Sequence, residues 1–352
     1  GLRAAIHFDL LRLFAVHINS TDESAKAKAI PYVTKYTFKV TPFSSVEEVY
    51  EKVIADLKEA EICLTEDETL MSKIRKGGEK GFTGARELHF NLYAAQAMLA
   101  RVYWMKGDLE NAKKYANKVI QSEKFQFVNQ EDLSTFMKRR ISLSETIWGL
   151  YTTKISSYLY DVQLLFNKMS LPVVWRDIYK TVEENEDNYD KRYYAWFITK
   201  EYNGKSKDIL SKIMDESNDA SEYSGGEYFG FSMIRIPEMY YIMAECDPDP
   251  QSSAEILDMV RFKRGIASSD ATDGGKGYDE PDTREGFDSG HTRRINEVMR
   301  EYLKEYYGEG QLFYFYKRHN YVTFANCSLV DVRTKYQFPL PENEDMFGIT
   351  GK

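Results

Sequence analysis

Residues Phe90 to Ser122 read FNLYAAQAMLARVYWMKGDLENAKKYANKVIQS, and this stretch predicts two helices folded onto each other across a short turn. Leu92, Ala95, Leu99, Val102 and Tyr103 recur at helical spacing. Gly107-Asp108 interrupts the pattern, and Ala112, Tyr115, Ala116 and Val119 resume it on a second helix. The small alanines allow the two helices to approach closely.

The hairpin also fits much of the tetratricopeptide pattern, which asks for Leu-Gly, then Tyr, then Ala nine residues later. Leu99-Ala100, Tyr103 and Ala112 stand in those places, with Ala116 where an aromatic is preferred. An ordinary antiparallel helix pair satisfies the same spacing, so a single hairpin leaves both readings open.

Outward from the hairpin, the N-terminal side predicts two further helices. The first runs from Leu2 to Val16, with Leu2, Ala5, Ile6, Leu10, Leu13 and Phe14 as its buried stripe. The second opens at Ser44, an N-cap with Glu47 three residues on, and buries Val46, Val49, Tyr50, Val53, Leu57, Ala60 and Leu64. On the C-terminal side, residues 145–151 (ETIWGLY) predict a short strand in which Trp148 belongs to the core. Met233 to Cys246 and Ser252 to Arg264 predict another helical hairpin, with Pro237 in its first turn and Gly265 at its end. A last long helix carries Ile295, Val298, Met299, Tyr302, Leu303, Tyr306 and Tyr307 on one face and stops at Gly308.

Between residues 151 and 232 the periodicity fades. Tyr, Trp, Asp, Asn, Ser and Gly follow in mixed order, with brief helical patches expected at Asp177 to Val182 and Ile209 to Met214. A region this long without regular pattern is usually functional or mobile. The expected fold is therefore mainly α: a superhelix of tetratricopeptide-like hairpins with a loop-rich insertion and a few short strands. Residues 1–150 and 233–352 form the scaffold and 151–232 the insertion, within one domain.

Composition narrows the function. The chain has 352 residues, 43% of them hydrophobic, enough for a substantial core. Its 47 basic and 55 acidic residues leave a net charge of -8, unsuited to wrapping a nucleic acid. The 26 tyrosines contribute to an aromatic content of 14%, and tyrosine suits wet binding surfaces because its ring is apolar while its hydroxyl is not. Cys63, Cys246 and Cys327 are too few and too scattered for a disulfide framework or zinc ribbon, and read as free, mostly buried thiols. The five histidines have no metal-protease spacing, and no metal or cofactor is expected.

Six segments taken in order resemble the SusD/RagB family of Bacteroidetes surface glycan-binding lipoproteins. Residues 2–14 (LRAAIHFDLLRLF) resemble the family's first repeat helix, and Phe90 to Ser122 its central repeat. Residues 235–245 (RIPEMYYIMAE) and 257–265 (LDMVRFKRG) are similar to family stretches reading roughly RLAEMYLIxAE and LNxVRxRAG. Residues 295–319 (INEVMREYLKEYYGEGQLFYFYKRH) resemble a glutamate- and arginine-rich helix followed by Gly-Glu-Gly, an aromatic and Lys-Arg. The closing Phe338-Pro-Leu-Pro resembles the family's terminal LPIP segment. Family members begin with a signal peptide, a lipidated cysteine and further helices, so the natural protein is expected to extend upstream of Gly1.

The resemblance implies a non-catalytic protein, lipid-anchored and exposed on the outer membrane, that binds glycan and delivers it to a SusC-type TonB-dependent transporter. Within the aromatic insertion, Tyr158, Tyr160, Trp175, Tyr189, Tyr194, Trp196 and Tyr228 are the candidate stacking residues, with Asn188 and Asp190 as candidate partners for sugar hydroxyls. Two alternatives stand beside this reading: a scaffold binding peptide or protein in a repeat groove, and a glycoside hydrolase, for which no carboxylate pair can be selected from sequence.

Overall fold

The structure is a computed structural model and describes residues 1–19, 21–73, 82–134, 141–152, 170–171, 179, 189–202, 205–210, 212, 230–266, 273–324 and 327–342. The first part of the chain forms α1 (Leu2–Phe14), α2 (Asp22–Lys26), β1 (Lys28–Pro31), β2 (Phe43–Ser45), α3 (Val46–Cys63) and α4 (Asp67–Leu70). The hairpin follows as α5 (Leu92–Lys106) and α6 (Leu109–Gln121), then β3 (Thr146–Tyr151). The insertion contributes β4 (Ser170–Leu171), α7 (Lys191–Trp196), β5 (Phe197–Tyr202) and β6 (Lys205–Leu210). The chain returns through β7 (Gly230–Arg235), α8 (Ile236–Cys246), α9 (Pro250–Lys263), α10 (Arg293–Glu305) and α11 (Gln311–Arg318). This is the mainly helical architecture that the periodicity predicts.

The hairpin forms for local reasons. Asn91 caps α5 by accepting from the Ala94 N–H, Gly107 ends it with a left-handed φ of 85°, and Asp108 caps α6 by accepting from the Asn111 N–H. Its place in the fold is more central than a one-sided stripe implies. Every residue of α5 from Leu92 to Met105 is buried, because α3, α6, α8 and β3 pack around it. Ala94, Ala95, Ala97, Ala100, Ala112 and Ala116 are fully enclosed, which is what allows four elements to crowd one helix. Arg101, on the same helix, is neutralised inside by a bidentate contact to Glu238 of α8 at 2.6 and 2.5 Å.

Three small antiparallel sheets complete the fold. β1 pairs with β2, β3 with β7, and β6 lies between β4 and β5. Trp148 is buried on β3. The β3–β7 ladder takes up Met233 to Arg235, so α8 starts at Ile236 rather than at Met233: pairing with β3 claims those residues first. Ile209 and Leu210 likewise belong to strand β6 rather than to a helical patch, since Ile209 pairs with both Ser170 and Ile198; the rest of that patch, except Lys212, lies outside the described residues. The helical patch expected at Asp177 to Val182 lies outside the described residues except for Tyr179.

Two helix details differ from expectation. The N-cap of α3 is Ser45, which forms a reciprocal capping box with Glu48, while Ser44 is buried and accepts from Lys52. On α1 the buried face consists of Ala4, Ala5, Phe8 and Leu11 with His7 and Arg12, whereas Leu2, Ile6 and Leu10 are exposed. That helix is apolar around most of its circumference. Spacing alone offers two overlapping stripes, and the close fit of small Ala4 and Ala5 toward the helix layer selects one. Among the thiols, Cys246 is buried, Cys327 is partly so and Cys63 is exposed.

Candidate functional site

Glu297, Glu301, Glu305 and Glu309 recur every fourth residue, so the first three share one face of α10 and the fourth sits in the turn beyond it. That turn is made by Gly308 and Gly310, both left-handed at φ 79° and 77°. A glutamate face normally points to water, yet this one points inward. Its counterparts are Arg192 on α7, Arg235 at the end of β7, Arg261 on α9, Arg264 at the C-cap of α9, Lys304 and Lys212. With Glu145 and Asp190 added, six cations meet six carboxylates in a lattice among the described residues, and Arg284, itself paired with Asp282, joins at Glu297, so the charges balance. Neutrality is required, because a buried charge without a partner costs several kcal/mol.

Glu305 is the node. Its carboxylate accepts from Arg235 at 2.6 Å, from Arg264 at 2.8 and 3.0 Å and from Arg192 at 3.2 Å. Arg264 also reaches Glu145 at 2.8 and 3.2 Å, while Arg235 reaches Glu309 at 2.8 Å. Arg192 grips Asp190 through two bonds of 2.9 and 2.8 Å and Glu301 through one of 2.9 Å. Burial alone would raise the Glu305 carboxyl, but Arg264, Arg235 and Arg192 hold it well below the ordinary range. Glu301 behaves alike: Arg192, Lys304 and Arg261 outweigh its burial. Lys212 has the opposite balance, since burial outweighs Glu309 and brings its ammonium down to about 8.

The lattice positions the aromatic segment above it. Asp190 caps α7 by accepting from the Arg192 N–H, and the Lys191 N–H donates to the carbonyl of Arg264 at 3.0 Å. Gly265, at φ 95°, lies so close below that a Cβ there would sit 2.8 Å from the carbonyl oxygen of Tyr189. Tyr189 and Tyr194 are thereby held at the surface as an edge-to-face pair, with ring centroids 5.1 Å apart and planes at 81°. Tyr194 is 66% exposed and Tyr189 is partly exposed. The Tyr193 ring supports Tyr194 at 5.1 Å and stacks on Phe197 at 5.8 Å.

Two of the other sequence candidates are corrected. Trp196 is 1% exposed, with its indole N–H donating to the Leu133 carbonyl at 3.3 Å and the Lys212 ammonium 3.9 Å over its ring. It anchors a small core with Leu133, Tyr179, Phe197 and Leu210, and has no face left for a ligand. Asp190 is equally buried, both carboxylate oxygens being engaged by Arg192. Tyr158, Tyr160, Trp175, Asn188 and Tyr228 lie outside the described residues. Among the described residues no three His, Cys, Asp or Glu are grouped to hold a metal ion, and no helix is long and apolar enough to cross a membrane. The lattice is what sequence reading missed, and the four-residue period of the glutamates was its signal.

Sequence comparison finds no matching family model and no matching curated protein. Solved structures do match. A SusD-like carbohydrate-binding protein from Bacteroides vulgatus superposes over 98% of this chain and 74% of its own, with TM-score 0.64 and 18% identity. The fold is SusD-like. A SusD superfamily protein from Bacteroides thetaiotaomicron, at TM-score 0.61 and 19% identity, covers 91% of this chain and 66% of its own. A laminarin-binding SusD-like protein aligns over 90% of this chain and 68% of its own, at TM-score 0.54 and 17% identity. The chain thus spans about two thirds to three quarters of the length of these structures.

Proposed function

We propose that the protein binds a glycan without cleaving it, at a surface that includes Tyr189 and Tyr194, and passes it to a SusC-type TonB-dependent transporter at the outer membrane. The observation that carries this reading is the exposed tyrosine pair, fixed from below by the charge lattice. Sugar rings present C–H faces to such aromatics and hydroxyls to their polar rims, and rigid platforms bind at lower entropic cost. Similarity to a carbohydrate-binding and a laminarin-binding SusD-like protein supports the ligand class. A lipid anchor at the cell surface is part of the same proposal, as are Tyr158, Tyr160, Trp175, Tyr228 and Asn188 as further contacts. Against catalysis, the closely spaced carboxylates of the lattice are saturated by guanidinium groups, so none is available as acid or nucleophile.

Calorimetry against a polysaccharide panel that includes laminarin tests the reading. Saturable heat with one glycan class and no new reducing ends is expected. Release of sugar would mark an enzyme, while binding of peptides and silence toward all glycans would replace this function with a peptide-binding scaffold.

A further inference from the structure

Three helices end around one cavity of about 670 Å³, on the scaffold rather than on the aromatic insertion. Val16 to Asn19 follow α1, Lys106 and Gly107 end α5, Lys317 and Arg318 end α11, and the stretch from Arg333 to Gln337 closes the wall. The volume falls within the roughly 300–1,000 Å³ typical of small-molecule sites.

The wall's charge is one-sided. Lys106, Lys317, Arg318 and Arg333 line it, and among the described residues no carboxylate does, in a chain whose net charge is -8. The carboxylates that pair Arg318 and Arg333, Glu245 at 2.7 Å and Asp331 at 2.6 Å, are not part of the wall. Cations at helix C-termini offset the negative end of the macrodipole, and this explains part of the pattern. The Lys317 ammonium donates to the carbonyls of Arg12 and Ala15 at 2.6 Å each, at the end of α1. It does not explain Arg333, which follows no α-helix, nor why Lys317 has no carboxylate partner among the described residues. Burial, with Arg12 nearby, pulls the Lys317 ammonium down to about 8. Asn19, Asn320, Thr334 and Gln337 add neutral hydrogen-bonding groups around the cations.

We infer that this cavity is a second binding site, for a saccharide unit carrying a carboxylate, a uronic acid. The carboxylate is held between Lys106 and Arg333, joining Asp331 on the Arg333 guanidinium, and the neutral side chains receive the sugar hydroxyls. The saccharide half of this inference rests on the glycan-binding reading, and the anion preference rests on the cavity alone.

The test is calorimetry with oligogalacturonate, the neutral galactose oligomer of equal length and inorganic phosphate, in low salt and in 0.5 M NaCl. Lys106→Glu combined with Arg333→Glu reverses two charges at positions outside the core, and its melting curve checks that it folds. Oligogalacturonate is expected to bind at least tenfold more tightly than the neutral oligomer, and to lose at least tenfold in the double variant and in high salt. A Tyr189→Ala, Tyr194→Ala variant is expected to retain that binding. No oligogalacturonate binding, binding indifferent to the double variant, or loss in the tyrosine variant would overturn the second site. Phosphate binding as tight as oligogalacturonate would overturn the saccharide class. If every neutral polysaccharide fails while oligogalacturonate still binds through Lys106 and Arg333, the aromatic-surface reading falls and this one stands.

Discussion

Arg235 and Glu305 meet at 2.6 Å inside the protein, although seventy residues separate them along the chain. Each is also shared, Arg235 with Glu145 and Glu309, and Glu305 with Arg192 and Arg264. Removing one charge therefore unbalances several partners. Glu305→Gln is expected to destabilise the protein by about 3–5 kcal/mol, the range for breaking a buried ion pair. Denaturant titration measures it, and a midpoint unchanged from wild type would refute the lattice as an energetic unit.

Acid should expose a second pairing. Glu245 accepts from Arg318 at 2.7 Å; burial would raise its carboxyl, but Arg318 and His319 bring it down to about 2. Its folded value lies below its unfolded one, so its contribution is fully present above about pH 4.5 and is lost as pH falls toward 2. The size is on the order of 3 kcal/mol. Glu245→Gln should flatten the fall in stability across that window while lowering stability at pH 7. Equal slopes for both proteins between pH 4.5 and 2 would count against this assignment.

The surface and core aromatics of the insertion should part company. Tyr194→Ala is expected to weaken glycan affinity roughly five- to tenfold, equivalent to about 1 kcal/mol, with stability changed by less than about 0.5 kcal/mol. Trp196→Ala is expected to cost about 3–5 kcal/mol of stability, as for other large core truncations. Paired calorimetry and urea titrations decide it. Full affinity in Tyr194→Ala would remove that ring from the site.

Gly265 links scaffold to surface. Alanine there must adopt a left-handed φ and meet the Tyr189 carbonyl at 2.8 Å, so Gly265→Ala is expected to lose about 1–3 kcal/mol and to weaken glycan binding by shifting Tyr189. Wild-type melting together with wild-type affinity would show that the close approach has no consequence.

The helical layers were legible because apolar spacing, caps and glycines agree locally: Asn91, Gly107 and Asp108 bound the hairpin as read. What spacing does not carry is which way an almost uniformly apolar helix faces, so it puts Leu2, Ile6 and Leu10 of α1 inward where the fold exposes them. Burial of charge was also missed. Glu301 and Glu305 look like solvated residues until Arg192, Arg235 and Arg264 arrive from distant segments, and only pairing across the fold makes their interior position tolerable. The same blindness explains Trp196 and Asp190. An aromatic beside a carboxylate reads as a sugar contact, but here Lys212 and Arg192 claim both from inside.

The lattice also sets an order of assembly. Arg264 and Glu145 are 119 residues apart and Arg192 and Glu305 are 113, so none of these pairs forms until long stretches of chain have been brought together. Neighbouring helices can zip locally, but the ledge that bears Tyr189 and Tyr194 has nothing to rest on before β3, α9 and α10 have docked. A ligand gripping that ledge would therefore engage only molecules in which those distant segments have already docked.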